Sequence, residues 1–523
     1  MSAVLAANET IIEEQHKYPR PKDRLSSEIV IGVVGPIGSG CSETTKKLVE
    51  ILRTKFSYEA KIYKPSELIA ESLAVKNPQA PRGLDKNFST GELQAHGNEL
   101  RQSKFPAYLA AKLIQKIALD RDEYELLERA KKNESGTRAS VVQGEVRTTN
   151  RRVAHIIDSL KHPEEFELLR QTYGAMFWLI GVFAPEATRK DRLTKKHQGK
   201  HSVNDLPVQI QRYISDDYSD GQEKGQNVRD LFFQADFFVN NDQPNDDKLQ
   251  VDIGRFLDSI FGAPIKTPTV EESSMYAAYA QAARSACMSR QVGASIVNSE
   301  NVVIGLGRND VPKYGGGLYD ESDGRDDHRC FRWETKLCHN QKRKNDITER
   351  IEALVKPDKE QSATKVAIKN IGVSSLMEFS RSIHAEMEAL LSVARSGNAG
   401  LVGSTLYTTT FPCHNCARHI VAAGIQKVVF IEPFPKSEAI SLHSDSMCEP
   451  KSAANEPNKV ALVQYSGFAP KRLLEIFSFG GESRKNDAGH VISFDSSKAQ
   501  PKIRNSMDSF STLEKYVVST LDE

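Results

Sequence analysis

Two short motifs restrict the fold of this chain more than any other feature, because they require two helices to begin side by side. The first is His384-Ala-Glu386 and the second is Pro412-Cys413-His-Asn-Cys416. Hydrophobic periodicity predicts a helix from about residue 383 to 395, a strand over 404–409 and a helix from about 413 to 423. Each motif therefore stands where a predicted helix begins, and two adjacent helix starts can converge on one point.

The side chains of these motifs make up the ligand set of a catalytic zinc ion. His384, Cys413 and Cys416 supply three ligands and leave a fourth position open. Zinc (Zn2+) lowers the pKa of its bound water to about 7, and free N–H groups at a helix start stabilise thiolates. Glu386, which is not a ligand, can carry protons to a ring nitrogen and to a leaving amine. The pattern H-x-E…P-C-x-x-C is typical of zinc-dependent nucleobase deaminases, so the sequence predicts hydrolytic deamination.

A different interpretation treats the two motifs separately. His-Ala-Glu alone occurs by chance, and Cys-x-x-Cys alone also occurs in structural zinc clips and redox pairs. The order of the motifs, their helix–strand–helix setting and the proline before Cys413 favour the combined site. His414 and His419 are predicted to be surface or supporting imidazoles rather than ligands.

The composition excludes several classes of protein. The 523 residues exceed one ordinary domain, and 39% hydrophobic with 27% charged residues is typical of a globular protein. The 70 basic residues nearly balance the 69 acidic ones, so no broad field attracts nucleic acid or a membrane. Seven cysteines over this length do not form a secreted disulfide framework, and no apolar stretch is long enough to cross a membrane. The expected location is the cytoplasm.

A glycine-rich loop marks a second candidate site. The apolar strand predicted at 29–34 runs into Gly35-Pro-Ile-Gly-Ser-Gly40-Cys41-Ser42 and then into a helix, which is the order of a Walker A phosphate-binding loop (P-loop). The predicted nucleotide-binding residues are Gly35, Gly38, Ser39, Gly40, Cys41 and Ser42, with Ser42 on the magnesium side. The expected ligand is a regulatory nucleotide with Mg2+. The alternative is a glycine-rich turn that binds nothing.

This loop departs from the Walker pattern at one position. Cys41 replaces the lysine that contacts the β- and γ-phosphates. Its loss argues against phosphoryl transfer more than against binding, because binding rests largely on backbone donors. Asp158 is a candidate Walker B carboxylate. Arg189 and Arg192 stand where a small-molecule kinase carries an arginine lid, although an exposed charged helix explains them equally well.

The predicted fold class is α/β with two domains. Strands near 29–34, 155–158, 176–183 and 235–240 alternate with helical patterns, which predicts a P-loop kinase-like domain with a doubly wound parallel sheet. Prolines and glycine near 261–268 mark a boundary, after which Thr269 and Glu272 form a capping box. An α/β/α cytidine-deaminase-like domain is predicted to follow. The expected bounds are a polar arm at 1–27, the P-loop domain at 28–262, the deaminase domain at 269–480 with an insertion at 313–378, and a polar, partly disordered tail at 481–523.

The surroundings of the zinc motifs resemble the dCMP deaminase family. The resemblance rests on Cys287-Met-Ser-Arg-Gln-Val-Gly-Ala294 and Gly307-Arg-Asn-Asp-Val-Pro312, which are similar to the family's opening helix–strand and substrate loop. It implies that Asn309 hydrogen-bonds the deoxyribose and that the backbone near Ala385 contacts the cytosine edge. Where the family usually has Asn, two residues after the catalytic Glu, this chain has Glu388.

Two further stretches, at 315–319 and 431–437, resemble the antiphage dCTP/dCMP deaminases, which place a P-loop kinase-like domain before the deaminase. This resemblance implies free deoxycytidine nucleotides as substrates, dCTP and/or dCMP, and an antiviral role through depletion of the dCTP pool. It also implies that the N-terminal domain regulates the enzyme through a nucleotide or a small RNA, and that the protein is a homo-oligomer. No membrane partner is expected.

The insertion contains a second set of zinc-type ligands. His328, Cys330, Cys338 and His339 lie within twelve positions. One hypothesis is a structural zinc site, and the other is unliganded loop residues, because the spacing matches no standard finger. The same insertion is a candidate for recognising a triphosphate or an allosteric nucleotide.

Two other functions are compatible with parts of the sequence. A polynucleotide deaminase acting on RNA or single-stranded DNA would call for a basic groove rimmed by aromatic residues, which the sequence does not clearly show. A nucleotide-binding regulatory scaffold with an inert deaminase domain would call for a broken zinc motif, whereas here the P-loop is the altered motif. The sequence therefore favours a deaminase of free nucleotides over either of these functions.

Overall fold

A computed structural model gives the structure of the chain in two compact units. It describes residues 24–76, 88–134, 150–198, 205–218, 226–242, 247–263, 265–354, 379–397, 400–432, 437–449, 458–478, 480 and 483–521. The first unit consists of residues 1–266 and 481–523, and the second of residues 267–480. The division lies in the segment where the proline and glycine residues predict a boundary. Most of the expected arm at 1–27, and residues 355–378 of the insertion, lie outside the described residues.

A parallel sheet forms the centre of the first unit. Its strands are β1 (Ile29–Val34), β2 (Glu59–Tyr63), β3 (Val153–Asp158), β4 (Phe177–Phe183) and β5 (Phe237–Asn240), in the order β5-β4-β1-β3-β2. Every residue of β1 is buried, as expected for a strand that is paired on both sides and covered on both faces. Val33 of β1 pairs with Asp158 of β3, so the loops that follow these strands emerge next to each other.

Helices connect these strands. They are α1 (Cys41–Thr54), α2 (Pro65–Lys76), α3 (Thr90–Ser103), α4 (Tyr108–Glu134), α5 (Pro163–Tyr173), α6 (Glu186–His197), α7 (Leu206–Tyr218), α8 (Val228–Phe232) and α9 (Asp247–Ile260), with a 3-10 turn at Gly174–Met176. In α1 the residues Leu48, Ile51 and Leu52 recur at helical spacing and are buried, which holds the helix after the glycine-rich loop against the sheet.

The second unit is a mixed α/β structure. Its strands are β6 (Gly293–Val297), β7 (Val303–Arg308), β8 (Thr405–Thr410), β9 (Lys427–Glu432), β10 (Met447–Cys448), β11 (Val460–Gln464) and β12 (Gly467–Phe468). One sheet has the order β10-β11-β9-β8-β6-β7, in which β8 to β11 are parallel and β6 pairs antiparallel with both β7 and β8. The helices are α10 (Val270–Ala282), α11 (His339–Leu354), α12 (Ala385–Ser396), α13 (His414–Ala422), α14 (Ala439–Leu442) and α15 (Leu473–Phe477), with 3-10 turns at Glu321–Asp326 and Pro470–Arg472.

Local sequence signals set the ends of two of these helices. The Thr269 hydroxyl accepts from the Glu272 backbone N–H at 3.1 Å, and the Glu272 carboxylate accepts from the Thr269 N–H at 2.8 Å. This confirms the predicted capping box before α10. Gly397, with φ of 70°, ends α12 in the left-handed conformation that glycine adopts without strain.

The C-terminal segment differs from the predicted polar tail. It contains helix α16 (Met507–Ser519), which packs on α4 and buries Met507, Phe510 and Val517. These apolar residues recur at helical spacing between polar ones, so the composition of the segment conceals an amphipathic helix. Among the described helices, each is too short or too polar to span a membrane.

Candidate metal centre and phosphate-binding loop

The three predicted zinc ligands stand at the starts of two helices in the second unit. His384 is the residue before α12 and Cys413 the residue before α13, and both have extended backbone angles without a side-chain capping bond. Cys416 lies in the first turn of α13. The dipoles and free N–H groups of uncapped helix starts favour negative charge nearby, and the Cys416 backbone N–H donates to the Cys413 sulfur.

The ligand atoms converge. The Nδ1 atom of His384 lies 3.3 Å from the Sγ atom of Cys413 and 3.4 Å from the Sγ atom of Cys416. In the part of the chain that the structure describes, these three residues are the only group of three or more His, Cys, Asp or Glu side chains arranged closely enough to hold a metal ion. A tetrahedral zinc ion with bonds of about 2.0–2.3 Å sets its ligand atoms roughly 3.5 Å apart. The donor set and its spacing therefore fit zinc.

The pKa values of the candidate ligands are consistent with a zinc site. Hydrogen bonds with Cys416 and His384 lower the pKa of Cys413 to about 4, and the bond to Cys413 raises the pKa of His384 to about 9. The thiolate of Cys413 is thus already favoured by its neighbours. The bond to Cys413 and burial raise the pKa of Cys416, so this thiol must lose a proton to bind a metal as a thiolate.

Glu386 lies beside the ligands without joining them. The Cys416 thiol donates to its Oε2 atom at 3.5 Å, and the side chain is only 4% exposed. Burial raises the pKa of Glu386, which favours the protonated carboxyl. A buried carboxyl group with a raised pKa at the edge of a metal centre suits proton transfer at neutral pH.

The two predicted substrate residues lie close to this centre in the fold. Ala385 is the buried first residue of α12, and α12 packs against β7, which leads directly into Asn309. The Asn309 amide accepts from the Val292 N–H and donates to the Arg290 carbonyl, both at 2.7 Å. Its side chain therefore holds the segment before β6 in place, and contact with a deoxyribose stays a prediction.

Glu388, which departs from the family pattern, forms an ion pair. Its carboxylate accepts from the Arg395 guanidinium along the same helix, and its side chain is largely buried. The Arg395 charge compensates for a carboxylate at a position that is otherwise buried.

The predicted second zinc site does not assemble. The His328 ring packs edge-on against Tyr319 and Trp333, each 5.5 Å away between ring centres. The Sγ atom of Cys338 faces the Ser289 hydroxyl at 3.6 Å. No three of the four predicted residues, His328, Cys330, Cys338 and His339, form a metal-binding group. Aromatic packing determines the position of His328, and proximity in sequence did not reveal this.

Two glycines of the glycine-rich loop in the first unit have positive φ, and the loop joins the end of β1 to the start of α1. Gly38 and Gly40 have φ of 84° and 95°, and the Ser39 N–H donates to the Pro36 carbonyl at 2.9 Å. The Ser42 hydroxyl donates to the Asp158 Oδ2 atom at 2.7 Å, which joins the two candidate magnesium-side groups. A cavity of about 420 Å³ lies against this loop, and its lining includes Gly35, Gly38, Gly40, Cys41 and Ser42.

The two arginines of the predicted lid differ in their contacts. The Arg192 guanidinium donates to the loop carbonyls of Gly38 and Ser39 at 3.3 and 3.1 Å. Arg189 is buried, donates to the Ala184 carbonyl at 3.2 Å and packs with its backbone against Gly38.

Two further residues, which sequence reasoning missed, contact the loop. Lys161 and Asp217 both line the cavity. The position of Lys161 just after Asp158 was a signal that could have identified it. Asp217, at the end of α7, had no such signal, because only the fold brings it to the loop.

Comparison with known proteins agrees with the metal centre. Residues 268–432 match the family described as the cytidine and deoxycytidylate deaminase zinc-binding region. A deoxycytidylate deaminase of Enterobacteria phage T2 is 43% identical over 56 residues, which are 11% of this chain and 29% of the phage protein. The deoxycytidylate deaminase of Mus musculus is 28% identical over 200 residues, which are 38% of this chain and 80% of the mouse protein.

This chain also matches a crystal structure of dCMP deaminase from cyanophage S-TIM5, with 19% sequence identity. The match covers 38% of this chain and all of the cyanophage chain, and its TM-score of 0.21 is too low to support a conclusion. This chain spans less than a third of the length of the phage T2 and T4 relatives, at 29% and 28%. The match over 268–432 confirms the prediction of a deaminase-type zinc-binding region in the second half of the chain.

Proposed function

We propose that the second unit is a zinc-dependent hydrolase that deaminates free deoxycytidine nucleotides, dCMP and/or dCTP, to the deoxyuridine nucleotides and ammonia. One observation carries this proposal: His384, Cys413 and Cys416 place their ligand atoms within 4.8 Å of one another, with the Glu386 carboxyl next to them. The matching family and the names of the relatives above support a cytosine nucleotide as substrate.

In this reaction water adds to C4 of the ring, the C4–N bond breaks, and ammonia leaves. A bound zinc ion supplies a Lewis acid that lowers the pKa of water to about 7. Glu386 takes one proton from water and passes it to the ring nitrogen, then takes the second proton from the new C4 hydroxyl and passes it to the departing amine. Its burial and raised pKa allow it to hold that proton between the steps. The N–H groups at the starts of α12 and α13 stabilise the thiolates of the ligand set.

The remaining parts of the proposal concern the setting of the enzyme. The first unit is a P-loop kinase-like regulatory domain that binds a nucleotide with Mg2+, and the protein acts in antiviral defence by depleting the dCTP pool. It works in the cytoplasm as a homo-oligomer, and a nucleotide or a small RNA controls it. The loop geometry at Gly38, Gly40 and Ser42 supports nucleotide binding.

Ammonia release from purified zinc-loaded protein tests the activity. The substrates are dCMP, dCTP, CTP and cytidine, and the control variant is Glu386→Ala. We expect turnover of at least one deoxycytidine nucleotide and none with the variant. Absence of turnover of any free nucleotide would contradict the proposed function, and full activity of the variant would contradict the proton-transfer role.

A further inference from the structure

The P-loop of the first unit lacks a cation of its own. Cys41 occupies the position of the usual lysine, is 7% exposed, and has the Ser39 hydroxyl 3.5 Å from its sulfur. Burial raises the pKa of this thiol, so the side chain is neutral. Backbone N–H groups supply much of the binding to a phosphate chain, and P-loop proteins add a lysine whose charge contacts the β- and γ-phosphates.

Lys161 brings an ammonium group to the same loop from a different strand. It follows β3 by three residues, and its Nζ atom lies 3.3 Å from the Gly35 carbonyl oxygen. Its charge is close enough to Cys41 to act on the thiol. The side chain is 18% exposed and lines the 420 Å³ cavity together with four further cations, Lys64, Arg101, Arg192 and Lys196.

A carboxylate is already bound where this lysine and the loop meet. The Oδ2 atom of Asp217 accepts from the Ile37 N–H at 2.7 Å, and its Oδ1 atom accepts from Lys161 Nζ at 2.6 Å. Ile37 lies inside the glycine-rich loop, whose N–H groups face phosphate in a P-loop. The Asp217 side chain is only 2% exposed, so its charge depends on these two donors.

We propose that Lys161 replaces the missing P-loop lysine as the cation for the phosphate chain of a nucleoside triphosphate, and that Asp217 is an internal anion that the phosphates displace. This deepens the nucleotide-binding part of the proposed function and rests on it. A carboxylate and a phosphate oxygen are both anionic acceptors, so they compete for the Ile37 N–H and the Lys161 ammonium. Binding a nucleotide then moves the end of α7, which carries Asp217.

Calorimetric titration of the full chain tests this proposal. The probes are ATP, GTP and dTTP, each with Mg2+, and the variants are Lys161→Met, Asp217→Asn and the control Lys47→Met. Lys47 lies on the same helix as Cys41 and pairs with Glu50 at 3.4 Å, so its loss removes the same charge away from the loop. We expect Lys161→Met to weaken binding about tenfold or more and Lys47→Met to change it less than about twofold.

Asp217→Asn distinguishes two roles of Asp217: an anion that competes with phosphate, and a residue that only holds the loop in place. The asparagine keeps an acceptor for Ile37 but loses its charge, so we expect binding to tighten by about tenfold. The proposal would be overturned by unchanged binding in Lys161→Met or by weaker binding in Asp217→Asn. It would also be overturned if neither wild type nor Asp217→Asn bound any probe. If Lys161→Met fails to fold, Asp217→Asn still decides. Ammonia release measured separately reports on the zinc centre, so failure of deamination is distinguishable from failure at this loop.

Discussion

The Sγ atom of Cys416 lies 3.5 Å from the Oε2 atom of Glu386, although the two residues belong to different helices. The pair fixes the carboxyl next to the ligand atoms, while Glu386 itself does not belong to the metal-binding group. The carboxyl can therefore serve proton transfer without occupying a position on the metal. This division of roles leads to separate expectations for Glu386 and for the ligands.

Glu386→Gln is expected to abolish deamination and to leave the metal in place. The amide has nearly the same volume but cannot take up a proton, and a positioned acid–base group contributes about 10²–10⁴-fold to a rate. Ammonia release from dCMP and zinc content by atomic emission provide the two measurements. A variant that lost zinc in proportion to its activity would show that Glu386 supports the metal centre instead.

Removal of the metal is expected to stop the reaction reversibly. Dialysis against a chelator should abolish ammonia release, and added Zn2+ should restore it, because the ligand set leaves a position open for catalysis. Cys413→Ser should reduce bound zinc strongly. Cys448→Ser is the matched control, since Cys448 is also a buried cysteine of the second unit but lies in β10. Equal zinc loss in both variants would contradict the assignment of Cys413.

Local signals determined what the sequence could predict. The helix starts at the zinc motifs, the capping box at Thr269 and Glu272, and the buried strand at 29–34 each depend on residues near one another in the chain. Hydrophobic spacing and helix capping act over a few residues, so they are readable without the fold. The three ligands at His384, Cys413 and Cys416 belong to this class, because each motif begins its own helix.

Features that depend on distant contacts were not predicted. Helix α16 lies in a segment of polar composition, and it is buried through Phe510 and through an ion pair between Glu514 and Arg121, nearly four hundred residues earlier. Asp217 reaches the glycine-rich loop only through the packing of α7. In the insertion, side-chain packing rather than spacing determines the position of His328. Such contacts require the complete fold.

Ser42→Ala is expected to weaken nucleotide binding to the first unit. The variant removes the hydroxyl that bonds to Asp158 on the candidate magnesium side, and one such bond is worth about 2- to 10-fold in affinity. Titration with ATP and Mg2+ measures the change. Thr54→Ala is the control on the same helix, because its hydroxyl bonds only to the Glu50 carbonyl. Equal affinities for wild type and Ser42→Ala would indicate a glycine-rich turn without a ligand.

Gly307→Ala is expected to damage the metal centre from outside it. A Cβ atom at Gly307 would lie 2.2 Å from the Ala385 carbonyl oxygen and 2.3 Å from the Ala389 nitrogen, and neither backbone atom can rotate away. Overpacking costs roughly 1–3 kcal/mol or more, and relief requires moving the start of α12. Both thermal stability and zinc content should fall. Gly254→Ala, where a Cβ meets nothing within 4 Å, should leave both measurements unharmed.

Glu28→Gln is expected to change how the free energy of unfolding depends on pH. Burial raises the pKa of Glu28, but the Arg121 charge and hydrogen bonds from His155 and Arg121 outweigh it and lower the pKa to about 2.

A carboxyl whose pKa is lower in the folded state stabilises the fold above its unfolded pKa, near 4.5, and this stabilisation is lost as the pH falls towards about 2. The loss is on the order of 3 kcal/mol. Glu514 shares Arg121, but its pKa is raised by burial, so its contribution has the opposite sign and does not produce this loss.

Urea unfolding between pH 5 and about 2 should therefore show a shallower loss of stability in Glu28→Gln than in wild type. The variant should also be less stable at pH 7, because Arg121 loses one of its two buried partners. Parallel pH curves for the two proteins would show that the Glu28–Arg121 pair does not govern acid unfolding.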